Sequence, residues 1–218
     1  KGLVTHYGDR EILRNISLSI PKGKTTVILG GSGCGKSTLL RHLIGLLKPT
    51  SGSILINGRD ITAMNETELN EVRKKFGMLF QGAALLNSLS IADNVALPVK
   101  EHTRLEDSTI QIMVRMKLDL VGLSGFGGFF PSQLSGGMKK RAGIARAMAL
   151  DPEIIFFDEP SAGLDPVTAA GLDELILKLR DVFKMTIVVV THELMSIFMI
   201  ADYVIMLDAG SVIFSGTL

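Results

Sequence analysis

The stretch GGSGCGKST, Gly30 to Thr38, sets a glycine-rich run before a Lys and two hydroxyl residues, in the spacing G-x-x-x-x-G-K-[ST]. Gly30, Gly33 and Gly35 let the main chain wrap with its N–H groups pointing inward, with Gly31, Ser32 and Cys34 completing the loop. A helix opening at Lys36 adds the positive end of its dipole. Such a cradle holds nucleotide phosphates. Lys36 supplies a compact cation to the β- and γ-phosphates, Ser37 offers an oxygen to Mg2+, and Thr38 continues the first helical turn. The plainer reading, a glycine-rich turn, is weakened by the strand pattern before the loop and the helix pattern after it.

Other residues become informative beside that loop. IIFFDEP (Ile154 to Pro160) ends an apolar run with two adjacent carboxylates. Alone, such a pair opens a solvated loop; in the same sheet as a phosphate loop, Asp158 would join the Mg2+ shell and Glu159 would polarise an attacking water. His192 closes TIVVVTH at another strand end, where contact with a γ-phosphate competes with an exposed, purely structural role. Gln81 ends FGMLFQ, and its amide could reach metal-bound water, although Gln at a strand end is usually ordinary. Tyr7 in HYGD is open between stacking on adenine and packing as an edge aromatic. His6, His42 and His102 have no such context, and no two histidines share a metal-ligand spacing.

A second candidate anion site lies in PSQLSGGMKKR, Pro131 to Arg141. Ser135 is a good N-cap, and Gly136 and Gly137 leave the first N–H groups uncovered. Read by itself, the stretch is a capped surface helix with a solvated Lys-Lys-Arg face. Two glycines at a helix start cost about 1 kcal/mol each against better helix formers, which favours the anion reading. Cys34, at a helix N-terminus beside Lys36, sits where a thiol is expected to be reactive.

These residues need an α/β frame. TTVILG (Thr25 to Gly30) runs into the glycine loop, NISLSI (Asn15 to Ile20) alternates with period two, and GSILING is a short strand ending in an Asn-Gly turn. IIFFDE and TIVVVTH are continuous apolar runs ending in polar residues, as expected where parallel strands present their carboxyl ends to a ligand. YVIMLDAGSVIFSG reads as two strands around an Ala-Gly turn. Between Gln81 and Pro131 the strand signal fades, and SIADNVALPVKEH and STIQIMVRMKLDLVGL carry helical spacing. The expected organisation is one domain over 1–218: an α/β core from 1–81 and 151–218, with a helical subdomain inserted at 82–150.

Lys plus Arg (23) and Asp plus Glu (22) nearly cancel, leaving +1, which argues against a nucleic-acid partner. The single Cys34 excludes an internal disulfide and suits a reducing compartment. No apolar run approaches the roughly 20 residues that span a bilayer. Without an initiator Met, and stopping at FSGTL, the chain is expected to be truncated at both ends.

In this order the pieces resemble the nucleotide-binding subunit of ABC transporters. Gly30 to Thr38 matches its Walker A motif, Gln81 the Q-loop, LSGGM the signature motif, IIFFDE Walker B, SAGLD (Ser161 to Asp165) the D-loop, His192 the switch histidine and Tyr7 the adenine-stacking aromatic. The resemblance implies a P-loop NTPase fold of the ABC-ATPase type, with a mixed sheet and an antiparallel β region. It implies hydrolysis of ATP with Mg2+ held at Ser37, Gln81 and Asp158. It also implies a head-to-tail homodimer around two ATP, in which Ser135, Gly136 and Gly137 bind the γ-phosphate held by the other copy. Met138 departs from the family's usual Gln and removes an amide from that contact. EPSAGLDP and SQLSGGMKKRAGIARAMALDPE are similar to the ATPases of the Mla/MCE-type phospholipid systems. That narrower resemblance implies an integral-membrane permease, an MCE-type lipid-binding protein in the periplasm, and a place on the cytoplasmic face of the inner membrane. A small-solute transporter, an ABC ATPase acting on nucleic acid and a switch that binds ATP without turnover are the alternatives.

Overall fold

The computed structural model describes residues 1–218. An antiparallel hairpin, β1 (Leu3–Tyr7) and β2 (Arg10–Ile16), precedes the central strand β3 (Thr25–Gly30) and helix α1 (Lys36–Leu43). The short strands β4 (Leu55–Ile56) and β5 (Arg59–Asp60) flank an Asn57-Gly58 turn, and α2 (Glu66–Arg73) leads into β6 (Phe76–Leu79). Three helices follow without a strand: α3 (Ile91–His102), α4 (Asp107–Leu120) and α5 (Gly136–Ala147). The chain then alternates through β7 (Ile154–Asp158), α6 (Pro166–Phe183), β8 (Thr186–Val190), α7 (Leu194–Ile200), β9 (Tyr203–Asp208) and β10 (Ser211–Thr217).

Six strands form the main sheet in the order β10-β9-β3-β8-β7-β6, parallel except for β10. Its central strands are apolar runs because both faces are covered. Alternation sends Val27, Ile155, Phe157, Ile187 and Val189 into a core with α3 to α7. Ile28, Phe156, Val188 and Val190 point into a second core with α1, α2 and the hairpins. Each fully buried Phe contributes roughly 1.5–3 kcal/mol of transfer free energy. Phe156 also meets Phe76 edge-on, with ring centroids 5.5 Å apart.

Four of the seven α-helices start where a side chain takes up a free N–H group. Ser90 caps α3, Ser135 caps α5, Asn65 and Glu68 form a capping box on α2, and Asp165 before Pro166 caps α6. NISLSI is not one strand. The ladder of β2 ends at Ile16, opposite Leu3, so Leu18 and Ile20 keep their inward alternation against the second core without strand pairing.

Two contacts place elements that the site uses. Gly77 and Gly143 allow α5 to lie directly on β6: a Cβ on Gly77 would stand 2.6 Å from the Ala147 carbonyl, and one on Gly143 2.6 Å from Leu79 Cδ1. His42, fully buried on α1, fastens the β1–β2 hairpin. Its Nδ1 faces the Leu47 carbonyl at 2.8 Å, an acceptor only, so Nδ1 carries the proton and Nε2 accepts from the Thr5 hydroxyl at 2.8 Å. At the outer edge, β10 carries an irregularity between Val212 and Phe214, with Ile213 and Phe214 exposed.

Gly143→Val should force Leu79 and Ala83 out of their packing and lower stability by about 1–3 kcal/mol, the usual cost of overpacking. Urea unfolding checks this, and an unchanged midpoint would mean that α5 is free to shift on β6.

Candidate active site

Four neighbouring parallel strands end on one side of the sheet. In register, Ile28 of β3 and Asp158 of β7 both lie opposite Val190 of β8, and Leu79 of β6 lies opposite Phe157. The residues just past those ends therefore converge: Gly30 to Thr38 after β3, His192 after β8, Asp158 and Glu159 at the end of β7, and Gln81 after β6.

The glycine loop has the makings of a phosphate cradle. Gly35, at φ 104°, is the N-cap of α1, and a Cβ there would meet Leu13 Cδ2 at 2.7 Å. Within Gly31 to Thr38 only the Cys34 N–H donates to another main-chain carbonyl, that of Gly31 at 3.4 Å. The remaining N–H groups, the first-turn amides of α1 among them, stay available. Lys36 Nζ lies 2.8 Å from the Gly30 carbonyl and 2.9 Å from that of Gly31, so its ammonium is held over the loop. Ser37 is exposed. Cys34, expected to be a reactive thiol, is instead buried inside the loop at 6% exposure, so α1 and the loop themselves shield it from reagents.

Glu159 is held from three directions. Its φ of 47° is uncommon for a residue with a side chain. Its N–H donates to the Val190 carbonyl at 2.8 Å, its own carbonyl accepts from Lys140 Nζ at 3.0 Å and from the Ala162 N–H at 3.3 Å, and Oε1 accepts from His192 Nδ1 at 2.8 Å. Oε2 is buried and has no partner. Burial, and next the charge of Glu159, raise the Asp158 carboxyl above its ordinary value, against the cations of Arg41, Lys140 and Lys36. His192 is exposed, and its hydrogen bond and charge interaction with Glu159 raise it.

Mg2+ fits this donor set. No three His, Cys, Asp or Glu side chains cluster to hold a metal by themselves. Asp158, the Ser37 hydroxyl and the Gln81 amide are hard oxygen donors, and Mg2+ is commonly bound by one or two carboxylates together with substrate phosphates. A cation beside two adjacent, partly buried carboxylates would also relieve the repulsion that raises Asp158.

The other predicted residues lie apart from this row. Tyr7 is 48% exposed at the tip of the β1–β2 hairpin, which reaches α1 through Thr5–His42 and Leu13–Gly35. Ser135 caps α5 by accepting from the Met138 N–H at 3.3 Å, and Ser135 and Gly136 are exposed. α5 packs on α3, α4, α6 and β6, whereas α1 packs on β2, β3, β7 and β8. The structure thus separates the two anion-type helix starts within one chain. Gly137 is buried, and a Cβ on it would collide with Thr168 of α6, so this glycine is also required by packing within the chain. Met138 packs on the larger core.

Two of the three residues of the Lys-Lys-Arg run, Lys140 and Arg141, turn inward rather than to solvent. Lys140 is 6% exposed and donates to the carbonyls of Gln81 and Glu159; Arg141 donates to those of Val121 and Gly171, both at 3.0 Å. Arg146 forks to the carbonyls of Ala83 and Ala84 at 2.8 and 2.7 Å. Sequence reasoning missed these roles because a basic residue aimed at a main-chain carbonyl carries no mark in its spacing.

Comparison with known proteins agrees with this geometry. Residues 13–162 match the family model described as ABC transporter. The chain belongs to the ABC transporter family. It is an ATPase subunit of that family, with ATP as substrate and Mg2+ as cofactor. It is 46% identical over 217 residues to the intermembrane phospholipid transport system ATP-binding protein MlaF of Haemophilus influenzae, covering 100% of this chain and 82% of MlaF. It is 50% identical over 192 residues to the probable ribonucleotide transport ATP-binding protein Mkl of Mycobacterium leprae, covering 88% of this chain and 55% of Mkl. The dimeric ATP-binding cassette MJ0796, solved in a post-hydrolysis state with ADP and Pi, superposes with a TM-score of 0.91 at 32% identity, over 100% of this chain and 97% of that one. No helix of this ABC subunit is long and apolar enough to cross a membrane.

In an NMR titration His192 and His42 should fall on opposite sides of the ordinary value of about 6.5. The Glu159 carboxylate holds the His192 proton; burial disfavours the charged form of His42. By linkage, the His192 contribution to stability is complete below about 6.5 and is lost as pH rises through its raised value. The neutral His42 suits the fold above about 6.5, and stability falls as pH drops below it. Glu159→Gln should return His192 toward its ordinary value and leave His42 in place; an unmoved His192 would mean that the pair is not formed.

Proposed function

We propose that this subunit hydrolyses MgATP at sites shared between two head-to-tail copies and thereby drives a separate membrane permease. The observation that carries the hydrolytic part is the Glu159 carboxylate: one oxygen is held by His192 and the other is buried without a partner beside the glycine loop. In this reading Gly30 to Gly35 wrap the phosphates with main-chain N–H groups, Lys36 neutralises the β- and γ-phosphates, and Tyr7 stacks on the adenine. Ser37, Gln81 and Asp158 hold Mg2+, which when bound neutralises charge on the phosphates. Glu159 accepts a proton from the attacking water through Oε2, and His192 keeps the carboxylate aimed; its other ring nitrogen, 3.6 Å from Glu193 Oε1, would turn to the γ-phosphate. Ser135, Gly136 and Gly137 close over the nucleotide of the second copy.

The segment 82–150 acts as a helical subdomain that the permease engages. A surface groove of about 380 Å³ beside Gln81, lined by Phe76, Phe80, Leu97, Pro98, Arg146 and Leu150, offers a seat for it. The cargo proposed is phospholipid, in a Gram-negative envelope where this subunit sits on the cytoplasmic face of the inner membrane and an MCE-type lipid-binding protein is a further partner. Similarity to MlaF over the whole of this chain supports that cargo. Ribonucleotide is the second reading, supported by the name given to Mkl. The two are separated by which of them stimulates ATP hydrolysis in the complex with the permease.

Glu159→Gln should retain MgATP and lose about 10²–10⁴ in turnover, because the amide keeps the size but not the basicity. Near-normal turnover in the purified variant would remove Glu159 from the role. The shared site is tested by mixing subunits in that slow background. A copy with Lys36→Ala and a copy with Ser135→Arg each lack a competent site as homodimers. Together they restore one intact loop facing one intact signature helix, so ATP retention should reach about half that of the Glu159→Gln parent, as one site of two requires. No recovery on mixing would show that each subunit uses both motifs on its own nucleotide.

A further inference from the structure

We infer that Lys140 is a positioning residue for hydrolysis: from α5 its ammonium joins the main-chain carbonyls of Gln81 and Glu159 and holds the ends of β6 and β7 in working register. The bond to Glu159 is 3.0 Å, and the bond to Gln81 completes the bridge. These two carbonyls belong to the residues proposed to reach the metal and the attacking water.

Three observations give the bridge its force. Lys140 is 6% exposed, so its bonds to the two carbonyls are shielded from competition by water. Glu159 sits at a φ of 47°, a conformation that persists only where surrounding bonds over-determine it. With the Val190 carbonyl fixing its N–H and His192 fixing Oε1, Lys140 makes the shorter of the two bonds on its carbonyl, at 3.0 Å against 3.3 Å from the Ala162 N–H of the same turn, and is the tether that reaches it from another element. The segment after Gln81 is strained as well: Ala83 and Ala84 have φ of 61° and 49°, and Arg146 of the same helix holds both carbonyls.

One helix face, Lys140 and Arg146 on either side of Gly143, therefore carries the whole path from Gln81 to Ala84. Lys140 also follows the exposed Ser135–Gly136 start by little more than one turn, roughly 7 Å along the axis. A displacement of α5, whatever engages its start, is passed to the Glu159 main chain through one ammonium group.

The inference rests on the proposed role of Glu159, and the experiment separates the two. Steady-state ATPase is measured for the wild type, Lys140→Met, Lys140→Arg and Glu159→Gln in the permease complex, and MgATP affinity is measured in the Glu159→Gln background with and without Lys140→Met. Lys140→Met keeps the stem and removes every donor; it should lower kcat about 10–100-fold, the usual cost of a small misplacement. KM and MgATP affinity should stay within about threefold, because the glycine loop is untouched. Lys140→Arg, which can donate to both carbonyls, should recover most of kcat. Where Lys140→Met does not fold, Lys140→Gln keeps one donor group and should show a smaller fall with the same kcat-against-KM split. Near-normal kcat without a donor overturns the inference, as does a parallel loss of kcat and MgATP affinity that Arg fails to rescue. Turnover retained by Glu159→Gln sinks the functional reading itself, whereas loss in Glu159→Gln beside normal Lys140→Met sinks only the bridge.

Discussion

A parallel sheet buried on both faces leaves its strand ends as the place where polar groups gather. Here β3, β8, β7 and β6 stand side by side and stop in register, so the chain has one strip on which to set the glycine loop, His192, Asp158 with Glu159, and Gln81. The rest of the architecture serves that strip. The two cores fix the register from both faces, His42 locks the hairpin to α1, and the glycine pair Gly77 and Gly143 brings α5 against β6. The strip also concentrates the energetic cost. Two adjacent carboxylates repel each other in a partly buried place, and Glu159 occupies an uncommon main-chain conformation.

The parts of this protein that were legible in its sequence are those whose physics is local. TTVILG, IIFFD and TIVVV are strands because a strand hidden on both faces must be apolar throughout, and the polar residues that end them mark the strip. The Ser135 cap needed only its own first turn. What escaped depends on residues far apart in the chain. β1 hides behind Thr5 and His6, and the burial of Thr5 makes sense only once His42 supplies its acceptor. NISLSI has the right alternation but loses its partner strand after Ile16. Cys34 reads as a reactive thiol until the loop folds over it.

The basic residues of α5 show the same limit from the side of charge. Lys140 and Arg141 look like part of a solvated or anion-facing stripe, yet they and Arg146 spend their donors on main-chain carbonyls, as a cation withdrawn from water must to offset its lost hydration. Desolvation lowers both the Lys140 and the Arg146 group from their ordinary values, and the carboxylates of Asp158 and Glu159 oppose that fall at Lys140. α5 is thus joined to the loops beneath it by directed bonds as well as by apolar packing. Gly137, pressed against Thr168, adds α6 to the same assembly.

The outer strand β10 has a bearing on self-association. A sheet edge presents unpaired N–H and C=O groups on which another chain can template, and Ile213 and Phe214 would make this edge an adhesive one. The irregularity between Val212 and Phe214 breaks the even spacing that such templating requires and twists the rim away from a flat mate. The opposite edge, β6, is four residues long, too short a template for an extended ladder. Growth strand by strand is therefore disfavoured at both rims.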